Sequence, residues 1–191
     1  MLNIIAGSLS VGVAPVTSSY ESIATVTVGS GGQSSVSFTS IPNTYAHLQI
    51  RYLGQTNRAV FVDSIQLNFN SDTGSNYSWH SLQGDGSSAS ALGYATQTYA
   101  RIGDGTIGGA TSSSGNVGGG VLDILDYSST NKYKTIRGIT AVDENGAGRI
   151  ALGSGLWQNS GSAISSISIA PQAGTLFLQY SSFALYGIKG A

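Results

Sequence analysis

The most motif-like segment of the chain is Gly103-Asp104-Gly105-Thr106-Ile107-Gly108, which matches the dinucleotide fingerprint G-x-G-x-x-G. That fingerprint holds a pyrophosphate only where a strand ends at the first glycine and a helix begins at the third, because the helix N–H groups then point at the phosphates. The residues from Gly109 to Gly115 are Gly, Ala, Thr and Ser, which do not begin a helix. The segment therefore predicts a loop, and no nucleotide cofactor is expected.

Two histidines, His47 and His80, are the candidates for acid–base chemistry. A Ser–His–Asp triad is defined by spatial arrangement, so the order of residues in a Ser-rich chain does not exclude one. However, the chain has no G-x-S-x-G nucleophile elbow, and each histidine lies in a predicted strand whose alternate residues are hydrophobic or aromatic. The pattern favours hydrogen-bonded strand histidines, and no catalytic residue is predicted.

The carboxylates are sparse, and Asp123 and Asp126 are the most closely spaced pair apart from Asp143-Glu144. Glycoside hydrolysis needs two carboxyl groups that converge across a cleft. Asp123 is predicted on one face of a strand, whereas Asp126 opens the turn Asp126-Tyr127-Ser128-Ser129 and can accept backbone N–H bonds there. A role in a turn is therefore the preferred interpretation of Asp126.

Two loops carry oxygen ligands of the kind that calcium prefers, Asn70–Asn76 and Asp143–Gly146. Neither has the spacing or the terminal Glu of an EF-hand loop. Both are explained as turns, the second by Asn145-Gly146, which is a hairpin signal. No metal site is predicted.

The aromatic residues offer another route to a ligand, because Trp79, Trp157 and the tyrosines could stack on sugar rings. Tyr77 and Trp79 are two residues apart in one predicted strand, so they face the same side and suit a core or an interface, where large aromatics contribute most. Core or interface is the favoured interpretation, with glycan binding as the alternative.

The composition points to an assembly component more than to an enzyme. Only 9% of the 191 residues are charged, against roughly 25% in an ordinary soluble domain. The net charge of −1 provides no basic footprint for nucleic acid or anionic lipid, so neither is an expected partner. The absence of Cys excludes thiol catalysis, Cys-type zinc sites and disulfides. A surface with so few charges is hydrated through its hydroxyl and amide groups or is covered by other subunits.

The first seventeen residues differ from the rest of the chain. They are apolar and small, yet no Lys or Arg precedes the apolar run, and Gly7, Ser8, Ser10 and Gly12 interrupt it, so a secretory signal is not favoured. No stretch reaches the roughly 20 apolar residues of a transmembrane helix. We expect residues 1–17 to be an extended N-terminal arm that docks on a neighbouring protein. The expected partner-binding side chains are Ile4, Ile5, Leu9, Val11 and Val13.

Alternating apolar residues predict strands along the remainder, residues 18–191, as a single domain. Gly29 to Gly32 is predicted to turn the first strand into Val36–Phe38 as a hairpin. Ala89 to Ala100 is the one place for a short helix, although Gly93 and the β-prone Tyr94 argue against it. Gly103 to Gly120 is predicted as a long loop, which in a compact domain is usually functional or disordered. The predicted strands contain Ala24 to Val28, Val36 to Phe38, Leu48 to Tyr52, Ile65 to Phe69, Tyr77 to Leu82, Val121 to Leu125, Thr135 to Val142, Arg149 to Leu152, Ile164 to Ile169, Thr175 to Tyr180 and Phe183 to Ile188.

Short strands separated by Gly, Asn, Asp and Ser clusters, without a convincing amphipathic helix, predict an all-β fold: an antiparallel β-sandwich of the jelly-roll kind. No internal repeat of fixed period is visible, which argues against a solenoid or propeller.

Several segments resemble structural proteins of tailed bacteriophages, especially those of aquatic and cyanobacterial hosts. The similarity covers nearly the whole chain after Ser18. The segments that carry it are Tyr20–Gly32 (YESIATVTVGSGG), Val36–Arg51 (VSFTSIPNTYAHLQIR), Phe69–Tyr77 (FNSDTGSNY), Leu125–Ser129 (LDYSS), Lys132–Thr135 (KYKT) and Ala184–Lys189 (ALYGIK).

The resemblance implies a non-enzymatic virion protein that is assembled in the host cytoplasm. The first expectation is a capsid decoration (cement) protein that stabilises the phage head, bound to other virion proteins such as the major capsid protein and closed as a homotrimer. The alternative is a tail or head fibre module that binds a host surface glycan or receptor. A polysaccharide depolymerase is less favoured, because such enzymes usually need convergent carboxylates on a longer chain.

Overall fold

A computed structural model describes residues 18–112, 116–144 and 146–190. The described residues contain no helix, and the all-β, antiparallel class predicted from the sequence is confirmed. The predicted arm, residues 1–17 with Ile4, Ile5, Leu9, Val11 and Val13, lies outside the described residues. The strands are β1 (Tyr20–Thr27), β2 (Val36–Phe38), β3 (His47–Gly54), β4 (Val62–Asp63), β5 (Ile65–Phe69), β6 (Tyr77–Gly84), β7 (Ala89–Gln97), β8 (Ile107–Gly108), β9 (Gly118–Leu125), β10 (Lys134–Glu144), β11 (Ala147–Trp157), β12 (Ile167–Pro171) and β13 (Ser182–Ile188).

The strands form three sheets. The large sheet has eight strands in the order β1-β13-β3-β9-β10-β11-β6-β7, and a three-stranded sheet has the order β2-β12-β5. The third is the short pair β4-β8. All of the pairings between these strands are antiparallel, and β10 and β11 form the longest hairpin, from Lys134↔Trp157 to Glu144↔Ala147.

The predicted hairpin between β1 and β2 is wrong. β1 pairs with β13 in the large sheet, whereas β2 pairs with β12 in the three-stranded sheet. The chain changes sheets at Val28 to Gly32, where the Val28 N–H donates to the Ser181 carbonyl at 2.8 Å and Gly32 takes a positive φ of 70°. A Gly-rich turn signals a change of direction, but it does not identify the next partner of the chain, so the local pattern could not separate a hairpin from a crossover.

Two further segments bear on the sequence predictions. Strand β7 occupies Ala89–Gln97, in agreement with the β-prone residues that argued against a helix there. Thr175 to Tyr180 is not a strand, because only Phe177 forms isolated bridges, to Gln33 and to Thr56.

One hydrophobic cluster draws buried side chains from both larger sheets. Leu48, Ile50 and Leu122 come from the large sheet, and Leu67 and Ile169 from the three-stranded sheet. Alternation is clearest in Ile65–Phe69, where positions 65, 67 and 69 are buried. We call the side of the large sheet that faces this cluster its inner face and the opposite side its outer face.

The inner face beneath β10, β11 and β6 is covered by the segment 100–108, whose residues from Gly103 onward were predicted as a loop. Ala100, Ile102 and Ile107 are fully or almost fully buried. The close approach requires glycine: at Gly103, where φ is +98°, an added Cβ would lie 2.5 Å from the Cβ of Ala151. This part of the predicted Gly103 to Gly120 loop is therefore packed against the sheet, and Gly118 to Gly120 belongs to strand β9.

A buried carboxylate ties the loops at one end of the molecule together. Asp63 is fully buried, and its oxygens accept hydrogen bonds from the Thr56 hydroxyl (3.0 Å) and from the N–H groups of Ser64 (2.8 Å), Ala173 (3.2 Å) and Gly174 (2.9 Å). Because a buried charge is tolerated only where it is well hydrogen-bonded, these four donors fix the loop 172–176 against β4.

Candidate functional site

The outer face of the large sheet presents a continuous apolar row. The register places Val121 opposite Ile139, Ile139 opposite Leu152, and Leu152 opposite Leu82. These four side chains therefore form a line across β9, β10, β11 and β6, and Ala91 of β7 extends the line. Directly opposite side chains on one face of an antiparallel pair lie about 4.5–5.5 Å apart at Cβ, so the row is contiguous.

Three side chains of this row are open to solvent, whereas Val121 is partly buried. Leu152 is 60% exposed, Leu82 58% and Ile139 50%, and Ile150, two residues before Leu152, is 53% exposed. We call Val121, Ile139, Leu152, Leu82 and Ile150 the outer patch. A contiguous exposed apolar surface that is bordered by polar residues marks an interaction site more often than scattered surface aliphatics do.

A polar row borders the outer patch on one side. The Gln49 amide donates to Asp123 Oδ1 at 2.8 Å, and Arg137 Nε donates to Asp123 Oδ2 at 3.2 Å. The guanidinium of Arg51 lies over two tyrosine rings, 5.7 Å from the centroid of Tyr20 and 5.3 Å from that of Tyr186. The outer face therefore combines an apolar half with a polar and aromatic half.

The other border of the outer patch is an open groove between two hairpin ends. It lies where the β6–β7 turn faces the β10–β11 turn, and its lining includes Gly84, Asp85, Asp143, Arg149 and Ile150. Ile150 belongs to both the groove and the outer patch, so the two surfaces are continuous. Asn145 of the second turn lies outside the described residues, while the predicted hairpin itself is present through the pairing of Glu144 with Ala147.

The two histidines are apart and have different surroundings. His47 Nδ1 accepts the N–H of Asp126 at 3.0 Å and lies 3.8 Å from Asp126 Oδ1. The Lys132 ammonium also donates to Asp126, at 2.8 Å, and this bond is the main reason why the pKa of Asp126 is lowered. His80 is exposed on the outer face of β6 opposite Gly93. Asp126 therefore lies at the predicted turn, but its carboxylate accepts from Lys132 where bonds from the backbone N–H groups of the turn were predicted. Asp123 belongs to the polar row.

The loop Asn70–Asn76, considered for calcium, is closed by its own side chains. The Trp157 indole N–H donates to Asp72 Oδ2 at 2.7 Å, and Gly74 N–H donates to Asp72 Oδ1 at 2.9 Å. Burial raises the pKa of Asp72, but the bonds from Trp157, Asn76 and Gly74 outweigh it and lower the pKa overall. In the described part of the chain, no three residues of the His, Cys, Asp and Glu types come together as a metal site.

Both tryptophans are buried, so they are core residues and do not form a sugar-stacking surface. Trp79 is held between the ring of Tyr94, at 4.5 Å between centroids, and the guanidinium of Arg101, at 4.8 Å. The Lys134 ammonium lies 5.3 Å from the Trp157 ring centroid and donates to the Asn159 carbonyl at 2.8 Å, and burial lowers the pKa of Lys134.

The G-x-G-x-x-G segment does not form a phosphate cradle. The Asp104 N–H donates to the Gln83 side chain at 3.1 Å, Gly105 N–H to the Ser64 hydroxyl at 2.9 Å, and Thr106 N–H to the Asp63 carbonyl at 2.7 Å. The chain then enters strand β8 and not a helix. These amides are satisfied within the protein, in agreement with the predicted loop.

The outer patch is the surface that sequence reasoning missed. The segment Arg149 to Leu152 was predicted as a strand, but its inner face was not identified. The side chains of Ile150 and Leu152 point to one face of the sheet, and those of the buried Ala151 and Trp157 point to the opposite face. The large aliphatic residues occupy one set of alternate positions in this strand, and Ala and Gly occupy positions of the other set. Hydrophobicity alone therefore predicts, wrongly, that the aliphatic side chains face the core. Only the small inner residues, which make room for the segment 100–108, explain why the large ones face outward.

No protein-family model matches the sequence, and no curated protein or solved structure is significantly similar to it. The described part of the chain contains no helix that is long and apolar enough to cross a membrane.

Proposed function

We propose that this chain is a non-enzymatic virion structural protein of a tailed bacteriophage, a capsid decoration protein that docks on the head through the outer patch. The observation that carries the proposal is the apolar row Val121, Ile139, Leu152 and Leu82 on an otherwise ordinary antiparallel sheet. In the proposed arrangement, the three-stranded sheet covers the inner face as the second layer of a jelly-roll-like sandwich. The outer face remains free to bind other virion proteins such as the major capsid protein.

The energetics of the outer patch suit a subunit that is present in many copies. Each half-exposed aliphatic of the row contributes roughly 1 kcal/mol when it is buried, at about 25 cal/mol per Å² of apolar surface. A few such contacts per copy give weak binding, because association also costs several kcal/mol of translational and rotational freedom. Once one chain of an oligomer has bound the shell, the other chains of that oligomer are held close to their own sites at a high effective concentration. A homotrimer would therefore bind the shell far more tightly than one chain.

The alternative is a tail or head fibre module that binds a host surface glycan or receptor. The observation that favours it is the stack of Tyr20, Arg51 and Tyr186 on the polar half of the outer face. Aromatic rings beside amide and carboxylate groups, such as those of Gln49 and Asp123, suit sugar recognition. In this alternative the polar half, and not the outer patch, contacts the partner.

Particle retention of a matched pair of variants tests the proposal. Leu152→Lys places a charge in the centre of the outer patch, and Thr25→Lys places the same charge at an exposed position of β1 in the same sheet. Because a charge buried without a partner is costly, Leu152→Lys should remove the protein from purified particles while Thr25→Lys retains it. Equal retention of both variants would contradict docking through the outer patch.

A further inference from the structure

Strand β7 is an unprotected edge of the large sheet. It pairs with β6 on one side, and none of the described strands pairs with its other side. Its nine residues, ASALGYATQ, include no charged residue and no proline. Natural proteins usually protect an exposed edge with charges, proline, bulges or a covering segment, because its free N–H and C=O groups can pair with another strand.

The regular part of this edge extends from Ala89 to Tyr94. After Tyr94 a bulge interrupts the pairing with β6, and Thr96 has a positive φ of 54°. Along the regular part, Tyr94 is 47% exposed and Leu92 is half-buried on the inner side of the edge. A further strand beside β7 would cover these two side chains as well as the free backbone groups.

The opposite edge of the sheet, β1, is less suited to accept a strand. Its register is broken by a bulge between Ser22 and Ala24. Glu21 stands on this edge and forms an ion pair with Lys189 at 3.0 Å. A bulge and a charge are two of the devices that discourage edge pairing, so β7 is the more open of the two edges.

The sequence before the described residues contains a segment that matches the β7 edge. Leu9, Val11 and Val13 alternate with Ser10 and Gly12, which is the period of a strand with one apolar face. The segment has no charge, and its length is close to that of Ala89 to Tyr94. Its apolar face would lie on the side of Leu92 and Tyr94.

Distance decides which copy of the chain supplies that segment. Residues 14–19 connect Val13 to Tyr20 of β1, and the seven extended steps between these two residues span at most about 25 Å. β1 and β7 are the two ends of an eight-stranded sheet, and seven spacings of about 4.8 Å separate them by roughly 34 Å along the sheet. The connection is shorter than this distance, which favours the β7 edge of a neighbouring copy over that of the same chain.

We propose that residues 9–13 of one copy add as a ninth strand to the β7 edge, Ala89 to Tyr94, of a neighbouring copy. The added strand extends from the β1 end of the sheet in one copy and pairs with the β7 end of the sheet in the next copy. The contact between copies is therefore head-to-tail. Such a contact grows into a filament unless rotation closes it into a ring, and a ring of three accounts for the expected homotrimer. The inference rests on the proposed function only in treating the chain as an assembly subunit.

Introduced cysteines test the pairing, because the natural chain has none. Ser10→Cys is prepared in one batch of full-length protein, and Ala89→Cys or Ala91→Cys, both exposed on the outer side of the edge, in others. Mixed copies are oxidised without any virus particle present. We expect covalent dimers between Ser10→Cys and one or both edge variants, at least tenfold more abundant than with the control Thr25→Cys on β1.

Two outcomes would overturn the inference. Equal cross-linking to Thr25→Cys and to the edge variants would show that the segment has no preference for β7. An internal disulfide in the double variant Ser10→Cys/Thr25→Cys, without dimers in the mixtures, would place the segment on the β1 edge of its own chain. Because the measurement uses purified protein, either result leaves particle retention of Leu152→Lys as a separate test of the proposed function.

Discussion

Ile139 of β10 and Leu152 of β11 lie directly opposite each other on the outer face of the large sheet, and each is at least half exposed. On a solvated sheet face these positions would carry polar side chains, since an antiparallel sheet usually alternates apolar inward and polar outward residues. The pair therefore maintains an apolar surface that the described part of the chain does not bury.

Replacing Ile139 and Leu152 together by Thr should keep the fold, because Thr favours strands and both positions are exposed. We expect the free energy of unfolding to change by less than about 1 kcal/mol, since exposed substitutions are usually within 0.5 kcal/mol each. Binding of a fluorescent hydrophobic dye should fall. Unchanged dye binding together with a loss of more than about 2 kcal/mol in urea unfolding would mean that this face is covered in the folded chain.

Gly103→Ala should destabilise the protein more than Gly86→Ala, although both glycines have positive φ, 98° and 88°. Each substitution costs about 1–2 kcal/mol for the left-handed backbone. At Gly103 the new Cβ would also lie 2.5 Å from the Cβ of Ala151, whereas nothing lies within 4 Å at Gly86. Overpacking adds about 1–3 kcal/mol at Gly103 alone.

Urea unfolding of the two glycine variants measures this difference. The wild-type chain and the Gly86→Ala variant serve as controls for the backbone contribution. Equal stability of the two variants would contradict the close packing of the segment 100–108 on β11.

The contrast between Leu67 and Leu152 shows what the sequence could predict and what it could not. Alternation correctly placed Ile65, Leu67 and Phe69 in a strand with one buried face, because their neighbours on both sides are polar. Around Leu152 the alternate residues are Ala and Gly, so hydrophobicity alone assigns the wrong face to the core. The inner position of Ala151 depends on the segment 100–108, which is distant in sequence and packs there through Gly103.

Strand pairing shows the same limit. The strand β1 was correctly predicted from Ala24, Val26 and Val28, yet its partner is β13 and not β2. Local residues determine whether a segment is extended, but the partner is chosen by burial of side chains far apart in the chain, such as Val36 and Ile169 in the second sheet.

Asp63→Asn should cost about 2–4 kcal/mol of folding free energy, because an amide cannot accept from all four donors that meet the carboxylate. The control is Asp85→Asn, at an exposed carboxylate that accepts the N–H groups of Ser87 and Ser88 at 2.9 and 2.8 Å. Chemical denaturation should show a clearly larger loss for Asp63→Asn. A loss no larger than that of the control would contradict the role of Asp63 in holding the loop 172–176.

The stability of the protein should decline in acid partly through Asp72. Its pKa in the folded state is lowered by hydrogen bonds from Trp157, Asn76 and Gly74, which together outweigh the effect of burial. The unfolded chain therefore binds the proton more tightly, at a pKa of about 3.9, so the stabilisation is present above about pH 4 and is lost as the pH falls through the folded-state pKa.

Asp72→Asn should make stability less dependent on pH below about 4, as measured by thermal unfolding between pH 2 and pH 6. Asp126→Asn is a useful comparison, because the pKa of Asp126 is lowered mainly by Lys132 and involves neither tryptophan. An identical acid dependence in Asp72→Asn and in the natural chain would contradict the contribution of the Asp72–Trp157 bond.

Cryo-electron microscopy of purified particles of the tailed bacteriophage that is proposed to encode this chain tests the central claim most directly. A decoration protein should be present in hundreds of copies on the head, with Val121, Ile139, Leu152 and Leu82 turned toward the shell. About a dozen copies on an appendage would support the fibre alternative instead. Absence of the chain from purified particles would contradict the proposal that it is a virion structural protein.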